Sequence, residues 1–244
     1  MFVSSPGYSP KWPRTTTFLF TFLMVTVSVA QEVFDAESIL LNLRNNLSMQ
    51  FFELEGVIRH KKNFYPITLK TGPNQMEYHF SGHEPKVRII FTTPFSQVWI
   101  RSEREDQWKM LPEEGWDYRV LGTDVTYRDL ALDFLNWRPV YLLGKGSAKT
   151  LPAYVLEAWN SSARPSGIEK VKFWVSCEHF VLVQAEAYNS DGEVVRRLDV
   201  NGVQRIGDFW TIKEMCIAEM IPKRNLSRSR TFIEINSGKQ ILSR

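Results

Sequence analysis

Lys170-Val-Lys-Phe-Trp-Val-Ser-Cys177 puts Val171, Phe173, Val175 and Cys177 on one side of an extended chain and Lys172, Trp174 and Ser176 on the other. A tight turn at Glu178-His179 leads into Phe180-Val-Leu-Val-Gln-Ala-Glu-Ala-Tyr188. Asn189-Ser-Asp-Gly192 returns the chain into Glu193 to Val203, and Gly207-Asp208 turns it into Phe209 to Met220. Period-2 alternation bounded by Asp-Gly and Gly-Asp turns marks consecutive antiparallel hairpins, here a four-stranded meander. Both faces carry large apolar residues as well as charges, so one side is expected to be covered and the other to meet water.

The same alternation occurs upstream. Phe51–His60, Phe64–Lys70, Gln75–Phe80, Lys86–Phe91 and Ser96–Arg101 read as five strands separated by Gly, Pro and Asn turns. Ahead of them, Asp35 is placed to cap a helix in which Ile39, Leu40, Leu43 and Leu47 recur at helical spacing, ending near Ser48. Gln107 to Trp116 reads as irregular. Asp124 to Trp137 predicts a second helix, stopped by Pro139 and apolar on more than one stripe, so it must lie against the sheet or cover an apolar cavity. Tyr141 to Gly146 reads as a connector, Ala153–Trp159 as a strand, Ser161 to Gly167 as a loop, and Arg230–Ile235 as the last strand. The expectation is a mainly β (α+β) fold. It is a curved, incompletely closed antiparallel barrel of about ten or eleven strands with helices at its mouth, a shape that makes an apolar groove.

The chain has 244 residues, enough for one domain with a core. Residues 1–30 read as a cleavable signal peptide: Lys11 and Arg14 precede an apolar run from Thr15 to Val29, and Ser28-Val-Ala30 offers small residues for cleavage after Ala30. Residues 31–235 then form the single domain and 236–244 a C-terminal tail. Without residues 1–30 the chain carries 28 basic and 27 acidic residues, which is no nucleic-acid footprint. Cys177 and Cys216 lie three strands apart in the meander, too far to bridge in a flat sheet.

Several pieces in order resemble the outer-membrane lipoprotein-sorting family, the periplasmic carrier LolA and its broader relatives. They are Tyr127-Arg-Asp-Leu130, Asp133-Phe134, Trp137, Leu142-Leu-Gly-Lys145, Tyr154-Val-Leu156, Lys170-Val-Lys-Phe-Trp174, Ala187-Tyr188, Asp191-Gly192, Val194, Arg197, Phe209-Trp210 and Arg230-Thr231. The similarity spans about Asp35 to Ile235. It implies an unclosed barrel with a helical lid over an apolar cavity, acyl-chain or lipid binding in the periplasm of a Gram-negative bacterium, and membrane transport partners. One departure stands out. Where such carriers tend to have Arg-Pro-Asn, with the Arg helping to hold the lid, this chain reads Gly72-Pro-Asn74, so a lid latched by that Arg is not expected.

By strand parity, Phe52, Leu54, Ile67, Leu69, Met76, Tyr78, Ile89, Phe91, Val98 and Ile100 line the concave face, with Leu132 and Leu135 facing them from the lid. Each alone is more often plain core than ligand wall. Asp129 and Asp133, four apart on the expected helix, resemble an acid–base pair. With Arg128 beside them and no nucleophile or metal motif, they read instead as a polar network pinning the lid. The histidines read as surface residues, His60 beside Lys61-Lys62 and His179 in a hairpin turn, with His79 and His83 around Gly82. No phosphate loop, dinucleotide fingerprint or Gly-x-Ser-x-Gly motif is present, so no enzyme, cofactor or metal is expected.

The expected function is a monomeric periplasmic carrier of lipid or acylated lipoprotein, handing cargo between an inner-membrane transporter and an outer-membrane acceptor. The alternative is a non-carrier periplasmic module that docks an exporter and fills its interior with its own side chains. A secreted glycoprotein is a third reading, from the triplets at Asn46, Asn160 and Asn225.

Overall fold

The computed structural model describes residues 34–48, 51–92, 95–160, 167–207 and 209–241. The expected signal peptide and its cleavage site lie outside them, as does most of the Ser161–Gly167 loop. Helix α1 (Ala36–Ser48) starts where Asp35 accepts the Ser38 N–H at 2.7 Å, and hydrogen bonding from the Ser38 hydroxyl, then from its N–H, holds the Asp35 carboxyl below its usual range. Strands β1 (Phe52–His60), β2 (Asn63–Gly72), β3 (Gln75–Phe80), β4 (Lys86–Ile90) and β5 (Gln97–Arg101) follow, then a two-residue β6 (Lys109–Met110). After an irregular crossing segment come β7 (Val140–Ala148), β8 (Leu151–Trp159), β9 (Lys170–Ser176), β10 (Leu182–Tyr188), β11 (Val194–Ile206), β12 (Phe209–Ile221) and β13 (Leu226–Gln240).

All thirteen strands form one curved antiparallel sheet in the order β6-β5-β4-β3-β2-β1-β13-β12-β11-β10-β9-β8-β7. Two meanders, β1 to β6 and β7 to β13, are joined where the last strand pairs with the first: Ile58 lies opposite Ile233 and His60 opposite Thr231. The sheet does not close, and its edges are β6 and β7. The residues between those edges, 111–139, cross over the concave face, so the connection that topology requires is also the cover.

The expected architecture is present, with four differences. The sheet has thirteen strands rather than ten or eleven. Tyr141–Gly146, expected as a connector, lies in β7: Leu142 turns inward, and Gly144, at φ 127°, takes up the bulge opposite β8. Its two glycines masked a strand that pairing with β8 enforces. The last strand runs on to Gln240, so residues 237–240, expected in the tail, pair with Phe52 to Glu55. The long second helix is broken. Only Tyr127–Ala131 (α2) is α-helical; Leu132 is left-handed at φ 45°, and Asp133–Asn136 form a 3-10 turn. A straight helix shows the sheet one stripe, whereas Tyr127, Leu130, Ala131, Leu135 and Trp137 are all buried. The break at Leu132 turns the later ones back toward the sheet.

Candidate functional site: the lidded concave face

The concave face is apolar along almost every strand. Val87, Ile89, Val98, Leu156, Phe173 and Val175 are fully buried there. α1 covers part of this face with Ile39, Leu40 and Leu43, and the 111–139 segment covers another part with Val120, Val125, Leu130, Leu135 and Trp137. Of the residues expected to line a groove, Phe52, Leu54, Ile67, Tyr78, Ile89, Val98 and Leu135 are buried in this cluster. Leu69, Met76, Phe91, Ile100 and Leu132 are half-buried against it. All of them therefore belong to one continuous apolar cluster. A cavity of about 50 Å³ lies elsewhere on this face, under the lid, bordered by Phe134, Trp137, Val171, Ala187, Leu198 and Ile217. None of the expected groove residues lines it. Its volume is far below the roughly 300 Å³ of the smallest typical ligand pockets.

Polar contacts hold the lid down. At the start of α2, Thr126 and Asp129 form a reciprocal capping box: the Asp129 N–H donates to Thr126 Oγ1 at 3.2 Å and the Thr126 N–H to Asp129 Oδ2 at 2.7 Å. Asp129 also pairs with Arg196 of β11, whose guanidinium donates to the Asp124 carbonyl at 2.6 Å. Arg128 turns the other way, donating to Asp117 Oδ1 at 2.8 Å and Asp133 Oδ2 at 2.7 Å. Asp133 further accepts the Trp137 indole N–H at 2.9 Å. Burial pushes the Asp133 carboxyl above its usual range, against the Trp137 hydrogen bond and the Arg128 charge that lower it. Because the helix breaks between them, Asp129 and Asp133 bond to different arginines and do not act as one pair. At the far end, Arg44 of α1 donates to the Leu135 carbonyl, Asn136 to Ser96 Oγ at 2.8 Å, and Arg138 pairs with Glu37 at 2.9 Å.

The most buried tie lies where the sequence suggested only a helix start. The Asp124 carboxylate is fully buried and accepts from Ser229 Oγ at 2.6 Å and Thr231 Oγ1 at 3.1 Å. Thr231 Oγ1 in turn accepts the Asp124 N–H at 3.0 Å and lies 2.8 Å from His60 Nδ1. A hydroxyl has one proton and two lone pairs, so with its proton on Asp124 it must accept from His60, which fixes a proton on Nδ1. His60, expected at the surface, is 5 % exposed. Its strand parity places it inward at the end of β1, opposite Thr231, and the flanking lysines hid this. His79, expected at the surface, lies in β3 and bonds Glu77 at 2.5 Å. Cys177 and Cys216 are free thiols. Among the described residues no group of three or more His, Cys, Asp or Glu is placed to hold a metal ion, and no helix is long and apolar enough to cross a membrane.

A single open sheet of this kind, with its crossing segment folded over the concave face, is the LolA-like fold. An outer-membrane lipoprotein-sorting protein domain from Vibrio parahaemolyticus superposes with a TM-score of 0.68 at 13% identity, over 83% of this chain and 90% of that one. A LolA superfamily protein from Nitrosomonas europaea gives 0.63 at 17% identity, over 87% and 96%. A DUF1329 family protein from Desulfovibrio piger gives 0.58 at 14% identity, over 83% and 90%. A family model described as "Uncharacterized protein" matches residues 96–239, more than half of the chain, and the chain belongs to that family. No curated protein matches it.

Proposed function

We propose that the protein binds lipid, or the acyl chains of lipoproteins, on the concave face of its sheet, and works as a periplasmic carrier in outer-membrane lipoprotein sorting or lipid transport. The observation that carries this reading is the mismatch between face and cover. A thirteen-stranded apolar face is covered by one three-turn helix and a segment whose only α-helix has five residues. That segment is held by its buried Val120, Val125, Leu130, Leu135 and Trp137, whose place an entering ligand would have to take, and by side-chain hydrogen bonds and ion pairs, which exchange with water when it lifts. An acyl chain of about sixteen carbons entering in its place would gain about 12 kcal/mol, at about 0.8 kcal/mol per methylene. This is a binding role; the polar groups at the lid are paired with one another and serve to hold it.

The closed interior favours one rival, an interaction module whose concave face is filled permanently by its own lid. Native mass spectrometry of protein purified gently from its own cell envelope separates the two. The carrier reading expects an adduct of lipid or acylated-peptide mass, diminished in Phe91→Glu, where a half-buried ring is replaced without emptying the core. A bare mass, with no uptake of a fluorescent fatty acid, overturns the carrier reading and leaves the interaction module.

A further inference from the structure

The convex face carries a second concavity, which shares only Arg197 with the cavity under the lid. Ala218 lies opposite Arg197 on one side and Arg230 on the other, so one row across β11, β12 and β13 reads Arg-Ala-Arg. The next row reads Asp199, Cys216, Phe232. With small residues at the centre of both rows and long ones at their ends, a hollow of about 170 Å³ forms, its rim completed by Asn201, Asn225 and Ser227. That is room for several waters or a small ion, and too little for a drug-sized molecule.

The rim is electropositive. Arg197 is steered over the hollow by Glu186, at 2.8 Å, and by Asn225 Oδ1, at 3.0 Å. Arg230 Nε donates to Ser227 Oγ at 2.8 Å, and among the described residues no carboxylate lies within ion-pair distance of Arg230. Asp199, the one acid on the rim, faces Lys149 at 3.8 Å, and Lys149 also donates to Asn201 Oδ1 at 2.5 Å. Two guanidiniums facing each other across an alanine, one lacking a carboxylate, suit an anion whose oxygens both can reach. The hydroxyl and amide groups beside them add neutral hydrogen-bonding partners.

We propose that this hollow binds a small oxyanion of the phosphate class, either free in solution or as the headgroup phosphate of a lipid. The test is a titration of ¹⁵N-labelled protein with inorganic phosphate, alongside co-sedimentation with phosphatidylglycerol or phosphatidylcholine vesicles. The expected result is saturable shifts of the Ala218, Asp199 and Arg230 amides. Arg230→Ala should weaken binding by about tenfold, as expected for losing one charge-assisted contact, and Arg230→Lys should restore part of it. Arg230 is exposed and, among the described residues, its side chain hydrogen-bonds to Ser227, so Arg230→Ala should fold. Phosphate shifts without vesicle binding assign a soluble anion. Binding to phosphatidylglycerol but not phosphatidylcholine, lost in Arg230→Ala, assigns the headgroup. No response to either probe, or a response unchanged in Arg230→Ala, overturns the proposal. Because Phe91→Glu alters only the concave face, acyl binding and anion binding fail separately.

Discussion

Asp124→Ala is the substitution that most directly tests how the lid is held. It leaves the Ser229 hydroxyl without its acceptor at 2.6 Å, frees the Thr231 hydroxyl proton, and removes the carboxylate that faces His60 at 3.3 Å. The centre of the site is dry, with Thr231 unexposed and Asp124 about 1 % exposed, while Ser229 is half-buried and Arg119, 3.5 Å from the carboxylate, reaches the surface. Removing one partner of a buried, charge-assisted network costs about 3–5 kcal/mol, since the groups left behind are desolvated without compensation. For a domain of this size that corresponds to a fall in Tm of about 6–20 °C, at about 2–4 °C per kcal/mol. Asp124→Asn should lose less, because its amide oxygen still accepts from one hydroxyl. The assays are urea unfolding for the global loss and hydrogen exchange for the local one. The Val120 N–H, bonded to the Val125 carbonyl at 2.7 Å, and the Arg128 N–H, bonded to the Trp116 carbonyl at 2.9 Å, should lose protection before the strand amides of β9 and β10. A loss below about 1 kcal/mol with lid protection unchanged would refute the latch, since a surface carboxylate behaves that way.

Other expectations follow from the same geometry. His60 should show a protonated Nδ1 in ¹⁵N spectra, and a neutral ring protonated only on Nε2 would contradict the hydrogen-bond assignment around Thr231. Gly56→Ala should destabilise by more than about 2 kcal/mol by thermal melting, because the added methyl collides with the Glu234 carbonyl at the β1–β13 bulge. Phe173→Ala, which empties the largest fully buried side chain, should cost about 3–5 kcal/mol in the same assay. Glu77 sets an acid limit. Burial raises its carboxyl, but hydrogen bonds from His79 and Arg88 outweigh this and hold it below the ordinary value of 4.5. A depressed folded-state value contributes stability above the unfolded value that is lost as pH falls through the folded one, so the loss comes below about pH 4.5. Glu77→Gln should flatten that part of the pH–stability curve, and an unchanged curve would remove Glu77 from the account.

What the sequence revealed and what it hid divide along physical lines. Strands from β1 to β5 and from β8 to β12 were legible because alternation is local: Val171, Phe173 and Val175 point inward whatever their partners. β7 and the end of β13 were not, since pairing with β8 and β1 makes strands of Gly144, Gly146 and Gly238. The groove residues were placed by the same parity and do fall in one apolar cluster, yet their closure under α1 and the lid is a tertiary fact no periodicity encodes. His60 had the right parity for burial, and two neighbouring lysines masked it. Asp124 could not have been found at all, because its partners Ser229 and Thr231 are more than a hundred residues away.

That remoteness also bears on the Gly72-Pro73-Asn74 departure. The resemblance implied a lid-holding Arg at this position in such carriers, but here the hairpin only turns β2 into β3, with Asn74 left-handed at φ 57°. The lid is tied instead to β1, β11 and β13 through His60, Arg196, Ser229 and Thr231. These contacts cluster at one end of the lid, while Arg44, Asn136 and Arg138 hold the other. A lid fixed at both ends opens only if one end releases first. The Arg44 end is the more solvent-exposed: the Arg138–Glu37 pair lies at the surface, whereas Asp124 and Thr231 do not. Exposed pairs contribute about 0–1 kcal/mol and buried networks several. Opening should therefore begin at residues 135–138 and hinge about the Asp124 end. Arg44→Ala should accelerate fatty-acid probe uptake and leave Val120 exchange unchanged. Faster exchange at Val120 than at Trp137 in that variant would place the hinge at the wrong end.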